Sequence, residues 1–320
     1  VLNLFLTCIL WINIVGIQKA APPQVPIRPP SIYIPVIAKG QAPFWEAVRS
    51  GVEKAAVDYG VRAVFGAPAT EQPPDIITQL NLLQNALANN PDAIVLAALD
   101  SHIVTPYLER ARDAGIPVIG FDSGVDSPIV STTVATDNYE TGELAADKMA
   151  QLIGGTGKVA IIAQDQTSKS SIDRRDGFLN TLIQEYRDIE VIPTQYSLGD
   201  TERATEVAKE LLMAHPDVKG VFAITEGTTQ GLINAVKDLN KVGEITLIGF
   251  DAGQPLINAI REGIVAGAIT QDPMNIGYQA VTTAIRAARG ENLPAFIDTG
   301  FAWYDKFNID NPEIQPLLYE

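Results

Sequence analysis

The sequence predicts an α/β chain of two similar doubly wound parallel-sheet lobes, and two observations carry this. From Ser31 onward, short β-rich runs alternate with longer amphipathic stretches, a pattern that sets parallel strands beneath helical crossovers. The halves also echo each other. Ile116-Pro-Val-Ile-Gly-Phe-Asp122-Ser-Gly returns as Ile245-Thr-Leu-Ile-Gly-Phe-Asp251-Ala-Gly, and Pro91-Asp92 before one apolar strand matches Pro216-Asp217 before another. A length of 320 residues suits two domains at ~100–200 residues each.

Taken in order, IYIPVI (Ile32–Ile37) is an almost continuous apolar run, as a buried parallel strand requires. Phe44, Val48, Val52, Ala55, Ala56 and Tyr59 then recur at helical spacing, and Gly60 supplies a stop. VRAVF (Val61–Phe65) is a second strand, Ile76 to Asn89 a second helix and AIVLA (Ala93–Ala97) a third strand. A helix from about Ser101 to Ala114 leads into IPVIGF (Ile116–Phe121). After residue 135 the series restarts: a helix at about Tyr139–Leu152, strand Lys158–Ala163, a helix around Asp176–Glu185 and a strand near Ile189–Ile192. A helix at Glu202–Ala214, strand Gly220–Ile224, a helix at Gly227–Leu239 and strand Ile245–Phe250 complete it.

Composition narrows the function. The 46% hydrophobic and 19% charged residues are those of an ordinary globular protein. A net charge of −15, from 38 acidic and 23 basic residues with no basic cluster, repels phosphate backbones and argues against a nucleic-acid partner. With two His (His102, His215) and one Cys (Cys8), a zinc site, a Cys nucleophile or a disulfide framework is nearly excluded. Gly154-Gly-Thr-Gly-Lys158 has the wrong spacing for a phosphate loop, and no nucleophile elbow occurs. The apolar stretch Val1–Ile17, followed by the Pro-rich spacer Pro22–Ser31, reads as a secretory signal or membrane anchor, although no Lys or Arg precedes it. Cys8 sits in a poor lipidation context.

In open parallel sheets, ligands bind beyond the carboxyl ends of the strands. Asp122 and Asp251 occupy such ends, one per lobe, and an ionised carboxylate accepts from hydroxyl donors. Helix capping or an Asx turn is the alternative for each. Phe44 and Trp45 enter a helix after the first strand. Lying about 100° apart, they cannot both point into one core, so one should offer an apolar platform to a ring. Arg174, in SSIDRRDGF, can donate two directed bonds, or else pairs with Asp173 or Asp176 at the surface. Gln271 precedes Asp272-Pro273 and is either an amide contact or a loop residue, while Glu226 is either a ligand carboxylate or a first-turn helix charge.

These residues, with Pro43-Phe44-Trp45, Thr136-Asp137-Asn138, Arg174-x-x-Gly177-Phe178 and Gln271-x-Pro273-x-x-x-Gly277, give a chain that resembles the periplasmic sugar-binding proteins of ABC transporters. It is similar to their ribose/galactose-binding group, type I periplasmic binding proteins that share the lactose-repressor core fold. The resemblance spans Ser31 to Glu320 and implies ligand contacts at Phe44, Trp45, Asp122, Arg174, Asp251 and Gln271, with Glu226 and Lys39 as further polar contacts. It implies a three-segment hinge near Ala135–Thr136, Gln271–Asp272 and Ile297–Thr299. Lobe one would then be 31–135 plus 272–297, and lobe two 136–271 plus 298–320.

The implied role is capture of a sugar or polyol outside the cytoplasm for delivery to the membrane subunits of an ABC permease, by a monomer without cofactor, metal or catalysis. Presenting a sugar or an autoinducer-2-like ligand to a chemoreceptor or sensor kinase is the alternative. A transcriptional regulator would need a basic helix-turn-helix, and the residues before Ser31 are apolar and Pro-rich. Ser123, Ala42 and Gly199 stand where ribose binders carry an Arg, an Asn and an aromatic, which points away from ribose itself.

Overall fold

The computed structural model describes residues 31–319; the apolar leader and Cys8 lie outside the described residues. The chain runs β1 (Tyr33–Ile37), α1 (Pro43–Tyr59), β2 (Arg62–Gly66), α2 (Ile76–Ala88), β3 (Ile94–Leu96), α3 (Thr105–Asp113), β4 (Val118–Phe121) and β5 (Val130–Ala135). It continues through α4 (Asn138–Ile153), β6 (Gly157–Ala163), α5 (Lys169–Glu185), β7 (Ile189–Val191), β8 (Gln195–Tyr196), α6 (Thr201–Ala214), β9 (Val218–Ala223) and α7 (Glu226–Asp238). Last come β10 (Thr246–Phe250), α8 (Gln254–Arg261), β11 (Gly267–Gln271), α9 (Pro273–Ala288), β12 (Phe296–Asp298) and β13 (Phe301–Tyr304).

The strands form two sheets. The first has the order β2-β1-β3-β4-β5-β12 and is parallel throughout. The second has the order β7-β6-β9-β10-β11-β13, parallel except for the antiparallel β11–β13 pair, with β8 beside β6. The first five strands of each sheet follow one order, so the α/β class with two doubly wound lobes holds, and each sheet reverses direction beside its first strand. That reversal opens a crevice at the strands' carboxyl ends.

Each sheet is covered on both faces by apolar side chains. In the first lobe, Val48, Val52, Ile276 and Ala280 of α1 and α9 pack on Ile34 and Val36. On the opposite face, Leu83, Leu87 and Leu108 of α2 and α3 pack on Ile94 and Leu96. The second lobe repeats this, with α4 and α5 on one face and α6, α7 and α8 on the other. Strands buried on both faces must be apolar along their whole length, which is why β1, β3, β4, β9 and β10 are conspicuous in the sequence. By contrast β5, Val-Ser-Thr-Thr-Val-Ala, has a polar Ser-Thr-Thr centre and carries no continuous apolar signal. Arg174 lies inside α5, which begins at Lys169, seven residues before the expected start at Asp176. Asp165 organises that start by accepting hydrogen bonds from the Thr167 and Ser168 N–H groups (2.9 and 2.7 Å).

The chain passes between the sheets three times: from β5 to α4, from β11 to α9, which packs on the first sheet, and from β12 to β13. The crossings brace one another. Thr299 N–H donates to Ala135 O (3.1 Å) and Thr136 Oγ1 to Gly300 O (3.2 Å).

One helix pair in each lobe crosses at backbone contact. A Cβ at Gly51 of α1 would lie 1.9 Å from Met274 O, and one at Gly277 of α9 would lie 2.1 Å from Val48 O. Gly142 of α4 and Gly177 of α5 repeat this, at 2.3 Å from Arg174 O and 2.1 Å from Tyr139 O. Overpacking typically costs about 1–3 kcal/mol, and here the obstacle is backbone that cannot rotate away. Gly51→Ala and Gly142→Ala should each lower the urea midpoint by at least that equivalent with the m-value unchanged. A loss under about 0.5 kcal/mol, the scale of ordinary surface substitutions, would contradict the close crossing.

Candidate functional site

Loops at the carboxyl ends of both sheets enclose a cavity of about 450 Å³. Small-molecule sites are typically ~300–1,000 Å³. Lys39, Phe44, Trp45, Asp122, Arg174, Glu226, Asp251 and Gln271 all line it, so the structure brings every residue singled out from the sequence to one place.

Asp122 and Asp251 follow β4 and β10. Both adopt left-handed backbone (φ 53° and 72°), a conformation Asp tolerates better than most residues. In each lobe this turn lets the Asp N–H donate to the neighbouring strand, Asp122 to Val134 O (3.0 Å) and Asp251 to Ile269 O (2.8 Å), while the side chain faces the cavity. Asp251 does not cap α8: its Oδ1 accepts from Gln271 Nε2 (2.9 Å) and its Oδ2 from Glu226 N–H (3.1 Å).

Arg174 is 3% exposed. Its Nε donates to Asn138 Oδ1 (2.8 Å) and its Nη1 to Ile224 O (2.9 Å), with the guanidinium 3.6 Å from the Phe250 ring centroid. It does not join the surface pairs: Asp173 is taken by Lys169, and Asp176 by Arg175. Burial lowers its proton affinity, and the charges of Asp251 and Asp122 oppose this. An arginine keeps its charge under any such balance.

Both aromatics of the first loop are buried, Phe44 at 7% and Trp45 at 1% exposure. They meet edge to face, with centroids 5.1 Å apart, and Trp45 stands edge-on to Phe121 at 6.0 Å. Both rings belong to one apolar cluster, which overturns the expectation that neighbours about 100° apart cannot share a core, and both still reach the cavity wall, Trp45 through its indole edge. Its Nε1 donates to Glu71 Oε1 (2.7 Å), while Glu71 Oε2 lies 3.1 Å from Lys39 Nζ and accepts from Gln164 Nε2 (2.8 Å).

Sequence reasoning missed Glu71, Gln164 and Asn138. Glu71 and Gln164 follow β2 and β6, so the strand-end rule applied to those strands would have found them. Asn138 lies in the Thr136-Asp137-Asn138 motif, and its role is to hold Arg174.

The cavity crowds acidic groups. Burial pushes Asp122 up to about 6 against the pull of Lys39 and Arg174. Burial, with the Asp251 charge beside it, pushes Glu226 up to about 7. Burial also raises Asp251, opposed by Arg174 and the Gln271 hydrogen bond. Glu71 goes the other way: burial would raise it, but Lys39 and the Trp45 and Gln164 donors hold it below the usual carboxylate range. Two buried acceptors, Glu226 Oε2 and Gln271 Oε1, have no hydrogen-bond partner.

These directions set a pH dependence. A carboxyl whose folded pKa is raised binds more protons folded than unfolded, so stability falls as pH rises from its unfolded value through its folded one. Free of ligand, the protein should lose stability between about pH 4 and 7 on account of Asp122 and Glu226. Glu226→Gln should raise the melting temperature by a few degrees at pH 8 and barely change it at pH 5. An equal shift at both values, or a fall at pH 8, would contradict the buried, desolvated state of Glu226.

A family model described as periplasmic binding protein domain matches residues 32–292. The ribose import binding protein of Bacillus subtilis (strain 168) is 27% identical over 251 residues, which cover 78% of this chain and 79% of that one. Among solved structures, a solute-binding protein of an ABC transporter from Agrobacterium vitis with bound D-fucose superposes with a TM-score of 0.85 and 32% identity, over 90% of this chain and 100% of that one. A carbohydrate transporter solute-binding protein from Agrobacterium radiobacter in complex with D-arabinose gives 0.86 and 31%, over 90% and 99%. With the family model spanning most of the sequence, the two-lobed architecture and the cleft at its strand ends, this chain belongs to the periplasmic binding protein family.

Proposed function

We propose that this chain is the extracytoplasmic solute-binding subunit of an ABC importer, that it captures a sugar or related polyol between its lobes, and that it hands this ligand to the permease's membrane subunits. The observation that carries the reading is the convergence of Asp122 and Asp251, one from each sheet, on a single cavity that also holds the Arg174 guanidinium. Sugar hydroxyls both donate and accept. Carboxylates take their protons, and Arg174 and Lys39 serve their oxygens. Glu226 Oε2 and Gln271 Oε1 await donors that hydroxyl groups bring. The Phe44–Trp45 corner gives the C–H face of a pyranose or furanose an apolar wall.

The role is capture rather than turnover, by a monomer, with no nucleic acid and no cofactor. Relatives import ribose, and similar structures hold D-fucose and D-arabinose, which supports a monosaccharide here. In this reading the lobes are 31–135 plus 272–297 and 136–271 plus 298–320, the three crossings act as hinge, and ligand favours the closed state because it touches both lobes at once.

A thermal-shift screen of the protein, unfolded and refolded to strip carried-over ligand, against pentoses, hexoses, polyols and nucleosides tests this. A ligand at 100 times its Kd adds about 2.7 kcal/mol, which at this size is a rise of several degrees. One sugar or polyol should stand out. Asp251→Ala should weaken it by about ten- to a hundredfold, the scale of a lost hydrogen bond to a charged group. A flat sugar panel, or unchanged affinity in Asp251→Ala, would overturn the assignment.

A further inference from the structure

The loop between β2 and α2 leaves the first lobe and touches the second. Glu71, in this loop, uses its carboxylate three ways: it accepts from Trp45 Nε1 (2.7 Å), pairs with Lys39 Nζ (3.1 Å) and accepts from Gln164 Nε2 (2.8 Å). Trp45 and Lys39 belong to the first lobe and line the cavity, whereas Gln164 follows β6 of the second. The next residue makes a parallel link. Gln72 Nε2 donates to Asp200 Oδ2 (2.8 Å), and Asp200 Oδ1 in turn caps α6 by accepting from Arg203 N–H (2.6 Å).

Beneath both bonds the backbones meet. Gly199 has φ +76°, and a Cβ there would lie 2.5 Å from Glu71 O. The left-handed turn by itself explains a glycine. The approach of Glu71 O does not follow from the turn, and arises because the first lobe's loop rests on the second lobe at this point. Glu71 thereby ties two cavity-lining side chains of the first lobe to the second lobe through a single charged group. Because Glu71 is held ionised by Lys39 and its donors, each of its bonds is charge-assisted and stronger than a neutral one.

We propose that Glu71 is a positioning residue that couples Trp45 and Lys39 of the first lobe to closure of the second, with Gln72 and Gly199 completing the latch. When the lobes part, the Gln164 and Gln72 bonds break and water reaches the Glu71 carboxylate. The indole N–H of Trp45 then loses its shielded partner. When they close, Glu71 fixes the indole and the ammonium for the ligand. The indole N–H on the cavity wall and the Gln164 contact that senses closure thus share one carboxylate. The inference concerns the lobes and holds whatever ligand fills the cleft, so its failure leaves the sugar assignment standing, and the reverse.

The test uses the full, ligand-free chain with 15N-labelled tryptophan, and reads hydrogen exchange at the Trp45 indole together with the radius of gyration from small-angle scattering. Trp303, whose Nε1 donates to Asp305 Oδ2 (2.9 Å) in the second lobe, serves as internal control. Glu71→Gln, Gln164→Ala and Gly199→Ala should each speed Trp45 exchange at least tenfold, and the last two should also expand the molecule, with Trp303 unchanged. If Gly199→Ala speeds Trp303 as well, Gln72→Ala, which removes one loop contact, decides by the same readouts. Fast Trp45 exchange in Glu71→Gln alone, with the lobe-two variants and Gln72→Ala matching wild type, would confine Glu71 to the first lobe and overturn the coupling.

Discussion

Arg174 carries a charge that it cannot shed, so burying it obliges the protein to surround it with acceptors and an aromatic face. Asn138 and the Ile224 carbonyl take two of its donors, Phe250 takes its plane, and Asp122 and Asp251 supply the counter-charge. The remainder of the site follows from this placement. Two carboxylates near one guanidinium leave acidic charge in excess, burial raises their proton affinity, and burial with the Asp251 charge raises Glu226 as well. Such a cleft is under electrostatic tension, which hydrogen-bond donors placed among the carboxylates would relieve.

Duplication of one architecture makes the arrangement possible. Each lobe threads its first five strands in the same order and reverses beside its first strand. Each also ends a central strand with Gly-Phe-Asp in which the Asp turns left-handed, so that its N–H stays in the sheet while its carboxylate leaves it. Strain of this kind costs of order 1–3 kcal/mol per residue and persists because the neighbouring strand holds each Asp N–H, at Val134 O and Ile269 O. The helix crossings are duplicated too, with Gly51 and Gly277 in one lobe answered by Gly142 and Gly177 in the other. These crossings lock α1 against α9 and α5 against α4, and α1 carries Phe44 and Trp45 as α5 carries Arg174.

Much of this was legible from residue order. Continuous apolar strands and the repeated Gly-Phe-Asp motif identify two parallel sheets and the strand ends that open on the cavity, where Asp122 and Asp251 lie. β5 escaped because Ser-Thr-Thr breaks its apolar run, and the start of α5 escaped because its first turns are polar, their signal lying in the Asp165 contacts. Glu71 was hidden differently. It sits in a Pro-rich loop that reads as a connector, and its importance comes from Trp45, Lys39 and Gln164, partners distant in sequence that only the folded chain assembles. Strand-end reasoning marks Glu71 as a candidate, but it does not reveal that the β1–α1 segment and the segment after β6 converge on its carboxylate.

The most direct measurement is the proton balance of ligand binding. Calorimetric titration near pH 6.5, with the sugar that stabilises the protein most, in buffers of different ionisation enthalpy, counts protons exchanged as the cleft fills. Asp122 and Glu226, raised to about 6 and about 7, are partly protonated at that pH in the empty cleft. Ligand hydroxyls that donate to them favour the ionised forms, so binding should release protons, and the release should vanish at pH 9. No exchange at pH 6.5, or an uptake, would contradict a ligand held by buried carboxylates from both lobes.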